Sequence, residues 1–290
     1  MYFGAIEAGG TKFVCAVSNE QLEIISRVSI PTTTPAETLE VVFEFFDSYE
    51  LSSIGIGSFG PIDINKQSKT YGYITSTPKP GWDYFNFVGA IKSRYHVPVA
   101  FTTDVNAAAY GEFKQGSAVG SSSCLYLTIG TGIGGGAVVS GEILEGFSHP
   151  EMGHLLVRKH PEDQYEGHCP YHKDCFEGLA AGPALEGRYG VNGRELARYG
   201  KVWEIEASYI AQALVNYTLV LRPEKIILGG GVMKQTQLFP LIRAEFAALL
   251  NNYVETPELN DYFVSPGLGD NAGIVGSLLL ARETHGSVID

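Results

Sequence analysis

The chain has 290 residues, of which 44% are hydrophobic and 18% are charged, and its formal net charge is -12. This length suits two domains better than one core, and the acidic balance excludes a dominant basic face of the kind that binds DNA or RNA. The sequence shows neither a signal peptide nor an apolar run of about 18–20 residues, so we expect a cytoplasmic protein with no membrane and no nucleic-acid partner.

The first half of the chain is typical of an α/β unit that opens on a β-hairpin with a glycine-rich tip. A helix is predicted after Thr34, because Thr34, Pro35 and Glu37 together form a capping box with proline at the first helical position. Asp104 follows the last strand of this half. The predicted strands are residues 2–7, 12–17, 22–28, 54–57 and 98–103, and a second helix is predicted near 84–95.

The second half repeats this design. A strand at 124–129 leads into a glycine tip at 130–136 and a returning strand at 137–139. A strand–glycine turn–strand unit therefore occurs twice, which indicates a duplicated α/β fold with a ligand held between the halves; two unrelated hairpins are the alternative. The further elements predicted here are a strand at 225–228 and helices at 204–221, 237–250 and 272–284.

Three glycine clusters are candidate phosphate or nucleotide loops. Glycine-rich turns expose successive backbone N–H groups and lack the Cβ atoms that would keep an anion away. None of the three is a Walker A loop or a dinucleotide fingerprint. The third cluster follows a strand and offers a flat wall for a base or ribose. The expected contacts are Gly9, Gly10, Thr11, Lys12, Thr131, Gly132, Gly229, Gly230 and Gly231.

A cysteine–histidine cluster is typical of a metal site. Cys169, His172 and Cys175 are each three residues apart, so a tight loop can aim all three inward. Thiolate and imidazole together favour Zn²⁺, which prefers four tetrahedral ligands. His154 is the best fourth candidate, and His168 is the local alternative. Four protein ligands would make the zinc structural; two reduced core cysteines beside surface histidines are the other interpretation.

These motifs, in this order, resemble the actin, Hsp70 and hexokinase group and, within it, the ROK family (repressors, open reading frames, kinases), the bacterial fructokinase branch in particular. The resemblance covers essentially the whole chain. It implies two actin-like, ribonuclease H-like α/β domains with a ligand cleft between them. We expect an N-terminal domain at 1–116, onto which a C-terminal helix at about 272–290 packs, and a C-terminal domain with the zinc loop at 117–271. The motifs that carry the resemblance are residues 6–12, 57–61, 104–108, 128–134 and 151–154 and the cysteine cluster.

The resemblance implies an enzyme that transfers a phosphoryl group from ATP to the 6-hydroxyl of a hexose, with Mg²⁺ as cofactor, a structural Zn²⁺ and a homodimeric assembly. Fructose is the expected hexose; glucose, mannose and N-acetylhexosamines stay open. A sugar-responsive repressor and a non-catalytic sugar-binding regulator are more distant alternatives. The net charge of -12 argues against the repressor, and the intact glycine loops and Asp104 argue against the non-catalytic regulator.

By the same resemblance, Asp104 is the general base, although its local pattern alone favours an ordinary helix N-cap. Mg²⁺ is expected near Asp104 and Glu7; Glu7 stands where the family usually has Asp, and a strand-end carboxylate bonded to backbone is the other interpretation. His154 would bind zinc through one ring nitrogen and a sugar hydroxyl through the other. Glu177 could instead begin a helix. The expected sugar contacts are Gly81, Trp82, Thr103, Asp104, Glu151, His154 and Glu177.

Overall fold

The computed structural model describes residues 1–193 and 195–289, and the chain forms two compact units. Unit 1 comprises Met1–Val119, Ile143–Pro150 and the chain from Asp270 onward, and unit 2 comprises Gly120–Glu142 and Glu151–Gly269. The domain bounds expected from the sequence, 1–116 and 117–271, stay a prediction. No helix in the described residues is long and apolar enough to cross a membrane.

Unit 1 is built around a mixed five-stranded sheet. Its elements are β1 (Tyr2–Ala8), β2 (Lys12–Ser18), β3 (Ile24–Pro31), α1 (Pro35–Phe46), β4 (Leu51–Ser58), β5 (Tyr73–Ile74), β6 (Phe85–Asn86), α2 (Phe87–Tyr95), β7 (Val99–Thr103) and α3 (Asp104–Gln115). The strand order is β3-β2-β1-β4-β7. β1, β2 and β3 pair antiparallel, whereas β1, β4 and β7 run parallel.

Unit 2 has a second mixed five-stranded sheet. The elements that follow along the chain are β8 (Ser123–Ile129), β9 (Ile133–Val139), β10 (Glu142–Ile143), α4 (Phe176–Ala180), α5 (Gly182–Tyr189), α6 (Gly200–Leu221), β11 (Lys225–Gly229), α7 (Leu238–Leu250), α8 (Leu259–Tyr262), β12 (Phe263–Val264) and α9 (Ala272–Ile289). The order is β10-β9-β8-β11-β12. β8 pairs antiparallel with β9 and parallel with β11, so the predicted α/β class is confirmed.

Local sequence signals set the start of α1 as predicted. The Thr34 hydroxyl accepts a hydrogen bond from the Glu37 backbone N–H, and the Glu37 carboxylate accepts one from the Thr34 N–H. This reciprocal pair satisfies two helix-end donors that would otherwise lack partners. The helix predicted from residue 84 starts later, at Phe87, because Asn86 caps it by accepting from the Gly89 N–H at 2.8 Å.

The second glycine tip is shorter than predicted. The sequence placed it at 130–136, but β9 begins at Ile133, and Gly134, Gly135 and Gly136 pair with β8. A Cβ on Gly135 would lie 2.8 Å from Leu127 and from Met152, so glycine makes room for side chains that pack on the strand. Glycine in this strand therefore reflects packing and not a turn.

Within unit 1, helix α9 packs against β1 and α3 at very short distances. On one face of the sheet, Phe3 and Ala5 of β1 form a core with Ile274 and Leu278 of α9. A Cβ on Gly276 would overlap the Ala107 carbonyl of α3, so α9 needs glycine there. The opposite sheet face carries the larger core with α1 and α2. Both faces of the sheet are thus buried, and only its strand ends are left for a site.

Candidate active site

Strand register places the first glycine loop and Asp104 at one edge of the unit 1 sheet. Ala8, the last residue of β1, is paired with Ser58 of β4, and Ser58 is paired with Thr103 of β7. Neighbouring strands lie about 4.8 Å apart, so the ends of β1 and β7 are separated by about 10 Å. Asp104 follows Thr103 directly. Carboxyl ends of parallel strands are where open α/β sheets bind ligands.

The first glycine loop is a tight hairpin tip with free donors. The Gly9 N–H donates to the Lys12 carbonyl at 2.9 Å, and Thr32 holds the tip from outside by donating its hydroxyl to the Gly9 carbonyl at 2.7 Å. Within the described chain, no hydrogen bond uses the backbone N–H groups of Gly10 and Thr11. Thr11 and Lys12 are exposed. The tip can therefore accept an anion through its backbone, as predicted for a phosphate loop.

Glu7 lies just before this tip and is largely buried. A Cβ on Gly273 of α9 would lie 2.6 Å from the Glu7 carboxyl carbon, so the carboxyl group fits against the first turn of α9 only because residue 273 is glycine. Burial raises the pKa of the Glu7 carboxyl, although the charges of Lys12 and Arg27 act in the opposite direction. A nearby divalent cation would favour the ionised form.

Asp104 is the first residue of α3, and its neighbour Thr103 is the helix cap. The Thr103 hydroxyl accepts from the Asn106 N–H at 3.1 Å, so the alternative reading, with Asp104 as the N-cap, does not describe this helix. Asp104 Oδ1 accepts from the Val105 N–H at 2.9 Å, and the side chain is half-buried. A Cβ on Gly57 would lie 3.3 Å from the Asp104 Cα, so glycine lets the helix start close to β4.

The Trp82 side chain lies in the core, and the sugar contact expected from the segment Gly81-Trp82 stays a prediction. The indole is fully buried, and its Nε1–H donates to the Thr33 carbonyl at 2.8 Å. It packs against Phe13 and Phe59 among other aromatic rings. Gly81 before it is exposed with φ +78°, a conformation that favours glycine. The pair therefore anchors a loop: the Trp82 indole is buried, and the backbone of Gly81 beside it is exposed.

The four predicted zinc ligands of unit 2 come together. The ligand atoms of His154, Cys169, His172 and Cys175 all lie within 4.8 Å of one another. His154 Nδ1 is 3.7 Å from Cys169 Sγ and 3.6 Å from Cys175 Sγ, and His172 Nδ1 is 3.7 Å from Cys169 Sγ. A tetrahedral zinc with Zn–S and Zn–N bonds of about 2.3 and 2.1 Å requires sulfur–nitrogen separations of about 3.6 Å.

The donor set and its spacing fit zinc. Burial raises the pKa of the Cys175 thiol to about 11, and a bound divalent cation would reverse this by taking the thiolate. Cys169 and Cys175 are buried and His172 is exposed, so the cluster lies at the protein surface with its sulfur atoms inward. His168, the alternative ligand, is not part of the cluster.

Glu177 connects this cluster to the second glycine loop. His154 directs Nδ1 at the sulfur atoms and has Nε2 3.9 Å from Glu177 Oε1. The other oxygen, Oε2, accepts from the Ile133 N–H at 2.9 Å and would lie 2.8 Å from a Cβ on Gly132. Glu177 is in the first turn of α4, so the alternative interpretation of this residue as part of a helix start is confirmed, and its contact with a sugar stays a prediction.

The turn that carries Glu151 and His154 also lies beside the second glycine loop. A Cβ on Gly153 would overlap the Ile133 carbonyl, so the turn that carries Glu151 and His154 packs directly on the start of β9. Glu151 is exposed. This explains the glycine within the Glu-Met-Gly-His motif, which the sequence alone left unexplained.

The second and third glycine loops lie side by side in unit 2. β8 and β11 run parallel, with Thr128 paired to Gly229, and a Cβ on Gly130 would lie 3.6 Å from the Gly231 nitrogen. Gly230 has φ +90° and packs on the Ile129 backbone. Thr131 and Gly231 are exposed, and Gly132 is half-buried, so the two loops present adjoining backbone to solvent.

Sequence reasoning missed the residues that hold these loops. The Gly182 N–H donates to the Gly130 carbonyl at 2.7 Å, and Thr32 holds the first tip through its hydroxyl and its N–H. The three successive threonines at 32–34 are a sequence signal that could have drawn attention to Thr32. The role of Thr34 as a helix N-cap explains only the last of them. Gly182, before Pro183 at the start of α5, carried no signal of a long-range contact.

Comparisons with known proteins agree with this geometry. The family model described as the ROK family matches residues 3–284. The fructokinase of Pediococcus pentosaceus is 52% identical over 282 residues, covering 97% of this chain and 98% of the relative, and that of Streptococcus mutans serotype c is 49% identical over 287 residues, covering 97% of each. The ROK hexokinase of Thermus thermophilus superposes with a TM-score of 0.83 at 28% identity, over 99% of this chain and 100% of that structure. The chain belongs to the ROK family.

Proposed function

We propose that this protein is a fructokinase that transfers the γ-phosphoryl group of ATP to the 6-hydroxyl of D-fructose. The observation that supports the proposal is the strand register of unit 1, which brings the tip of the first glycine hairpin and the Asp104 carboxylate to one sheet edge. The choice of fructose rests on relatives that are named fructokinase and are 49–52% identical over nearly their full length.

In the proposed reaction, the fructose O6 attacks the γ-phosphorus while Asp104 accepts the hydroxyl proton. The new O6–phosphorus bond forms as the bond from the γ-phosphorus to the β–γ bridging oxygen breaks, and ADP departs. Phosphoryl transfer of this kind depends on positioning and charge neutralisation. Glu7 and Asp104 are the carboxylates that would hold Mg²⁺, and the chemistry that the ion would supply when bound is neutralisation of phosphate charge.

We assign nucleotide binding to the three glycine loops. Backbone N–H groups suit this acidic protein, because they attract phosphate locally without any net positive charge on the surface. The first two loops would take the phosphates and the third the adenosine. The assigned residues are Gly9, Gly10, Thr11, Lys12, Thr131, Gly132, Gly229, Gly230 and Gly231.

We assign sugar binding to polar side chains near the same loops. Sugar hydroxyl groups would be bound by Asp104, Glu151, His154 and Glu177. We also assign a sugar contact to Thr103, which lies at the end of β7 next to Asp104. Gly81 and Trp82 contribute through their loop backbone, because the Trp82 indole is buried. Specificity among hexoses would follow from which hydroxyl groups find hydrogen-bond partners.

We assign Zn²⁺ to His154, Cys169, His172 and Cys175. With four protein ligands the ion would be structural and would hold the turn of His154 against the helix start that carries Glu177. By relation to the family, we also propose a homodimer in the cytoplasm.

The test is a direct assay of ADP release by the purified protein with Mg-ATP and, in parallel, fructose, mannose, glucose or N-acetylmannosamine. We expect fructose to give the highest kcat/KM and fructose 6-phosphate as product. A higher kcat/KM with glucose or mannose would reassign the substrate within the family. Absence of ADP release with every sugar, in protein that binds both ATP and zinc, would replace the kinase by a sugar-binding regulator.

A further inference from the structure

The loop at 77–83 is rigidly tied to the residues that hold the first glycine loop. Its Trp82 indole donates to the Thr33 carbonyl, while the adjacent Thr32 bonds both the Gly9 and Thr11 carbonyls. Within the loop, the Trp82 N–H donates to the Lys79 carbonyl at 3.1 Å. Thr32 and Thr33, which directly follow β3, therefore hold the glycine tip and the Lys79 turn respectively.

Lys79 extends over the tip itself. A Cβ on Gly10 would lie 3.3 Å from Lys79 Cε, and the ammonium nitrogen is one bond further. The end of this side chain therefore lies close to Gly10, and the backbone N–H groups of Gly10 and Thr11 have no partner in the described chain. A glycine at residue 10 leaves this approach open to a long side chain.

The Lys79 ammonium has no ion-pair partner in the described residues, and the side chain is half-buried. Carboxylates are not scarce in this chain, which has 32 Asp and Glu against 20 Lys and Arg. A partly desolvated ammonium beside the Gly10 and Thr11 N–H groups is an incomplete anion site, because these donors have no acceptor among the described residues.

We propose that Lys79 is a phosphate-binding residue of the kinase, which contacts the terminal phosphates of ATP at the first glycine loop and stabilises the charge on the phosphoryl group during transfer. This inference rests on the proposed function. It also gives Trp82 a purpose other than sugar contact, as a positioning residue whose burial fixes the Lys79 turn.

The experiment compares Lys79→Met and Lys79→Arg with the wild type in steady-state assays with Mg-ATP and fructose. Methionine keeps the methylene packing over Gly10 and removes the charge. We expect Lys79→Met to lower kcat/KM for ATP by about 10- to 100-fold, as for loss of one hydrogen bond to a charged group. Arginine should restore part of the loss. The KM for fructose should stay within about two-fold of the wild type.

Lys92→Met is the matched control, because Lys92 is an exposed lysine on α2 outside the assigned site. It should match the wild type, and all variants should keep the wild-type melting temperature. A Lys79→Met enzyme with the ATP parameters of the control would overturn the proposal, and so would a change confined to the KM for fructose, which would assign Lys79 to the sugar. Wild-type protein without fructose-dependent ADP release would instead refute the proposed function.

Discussion

At the scale of single residues, Asp104 offers the most direct test of the chemistry. Asn at this position keeps the oxygen that accepts the Val105 N–H, so the start of α3 should be preserved. The amide cannot accept the fructose proton, and we expect Asp104→Asn to lower kcat by about 10²- to 10⁴-fold. Turnover is measured with saturating ATP and fructose. The control is Glu37→Gln in the first turn of α1, which should keep the turnover of the wild type. Near-normal turnover by folded Asp104→Asn would show that Asp104 is not the general base.

Glu206 is a second residue with a testable consequence, because it is completely buried and neither carboxylate oxygen has a hydrogen-bond partner among the residues that the structure describes. Burial raises the pKa of this carboxyl well above its ordinary value, although the charge of Arg188 opposes the shift. The native state therefore binds a proton more tightly than the unfolded state does. The contribution of the Glu206 carboxyl group to the free energy of unfolding is complete below the pKa of the unfolded state, about 4.3. It is lost as pH rises through the pKa of the folded state.

Glu206→Gln should consequently stabilise the protein, and the gain should increase with pH. We expect an increase in the free energy of unfolding of about 1–3 kcal/mol above neutral pH, since the variant removes the cost of a buried carboxylate. Thermal or urea unfolding at pH 5 and pH 8 measures it. Glu204→Gln on the exposed face of the same helix should change stability by less than about 0.5 kcal/mol. Equal effects of the two variants would contradict the expectation.

At the scale of elements, the cysteine–histidine cluster joins the turn at Met152–His154 to the start of α4. Cys175 is the N-cap residue of α4, so loss of its thiolate should release both segments at once. We expect about one zinc ion per chain in the wild type, and Cys175→Ser should lose the metal and lower the melting temperature, because zinc binding is linked to folding. Metal content is measured by elemental analysis. Cys124→Ala, in β8, should keep its zinc; retention of zinc by Cys175→Ser would refute the ligand set.

The packing of α9 on unit 1 gives a matched pair of glycine substitutions. A Cβ on Gly276 would overlap the Ala107 carbonyl, whereas a Cβ on Gly286 of the same helix meets nothing within 4 Å. Gly276→Ala should therefore destabilise the protein by about 1–3 kcal/mol through overpacking. Gly286→Ala should stabilise it by about 0.5–1 kcal/mol through helix propensity. Urea denaturation measures both changes in the free energy of unfolding. If both variants changed it in the same direction, α9 would not need its close contact with α3 at Gly276.

At the scale of the whole molecule, the proposed homodimer is the property with the simplest measurement. The ring of Phe147 is 97% exposed, and aromatic side chains of this kind are enriched at protein interfaces. We expect light scattering at micromolar concentration to give twice the 31.3 kDa mass of the chain. Phe147→Ser should shift the equilibrium toward the monomer, with Val119→Ser as an exposed apolar control. A single-chain mass at every concentration would refute the dimer.

Much of the fold was predictable because its signals are local. The capping box at Thr34 acts over three residues, and the hairpin tip at residues 9–11 needs only glycine and alternating strands on either side. The glycine-rich start of β9 was misread as a turn, because the reason for glycine there is a contact with Met152, far along the chain. Packing of this kind leaves no periodic trace in the strand itself.

The sequence by itself determined the α/β class, the two glycine hairpins, Asp104 at a strand end and the four residues of the metal cluster. Each is visible within a window of about ten residues, or by ligand chemistry that few residue types share. Only the tertiary structure decided that Trp82 is a core anchor, that Lys79 covers Gly10, and that Glu177 connects His154 to the second loop. Those relations join residues about 20 to 70 positions apart, and the direction of a side chain depends on its tertiary packing as well as on its own neighbours in sequence.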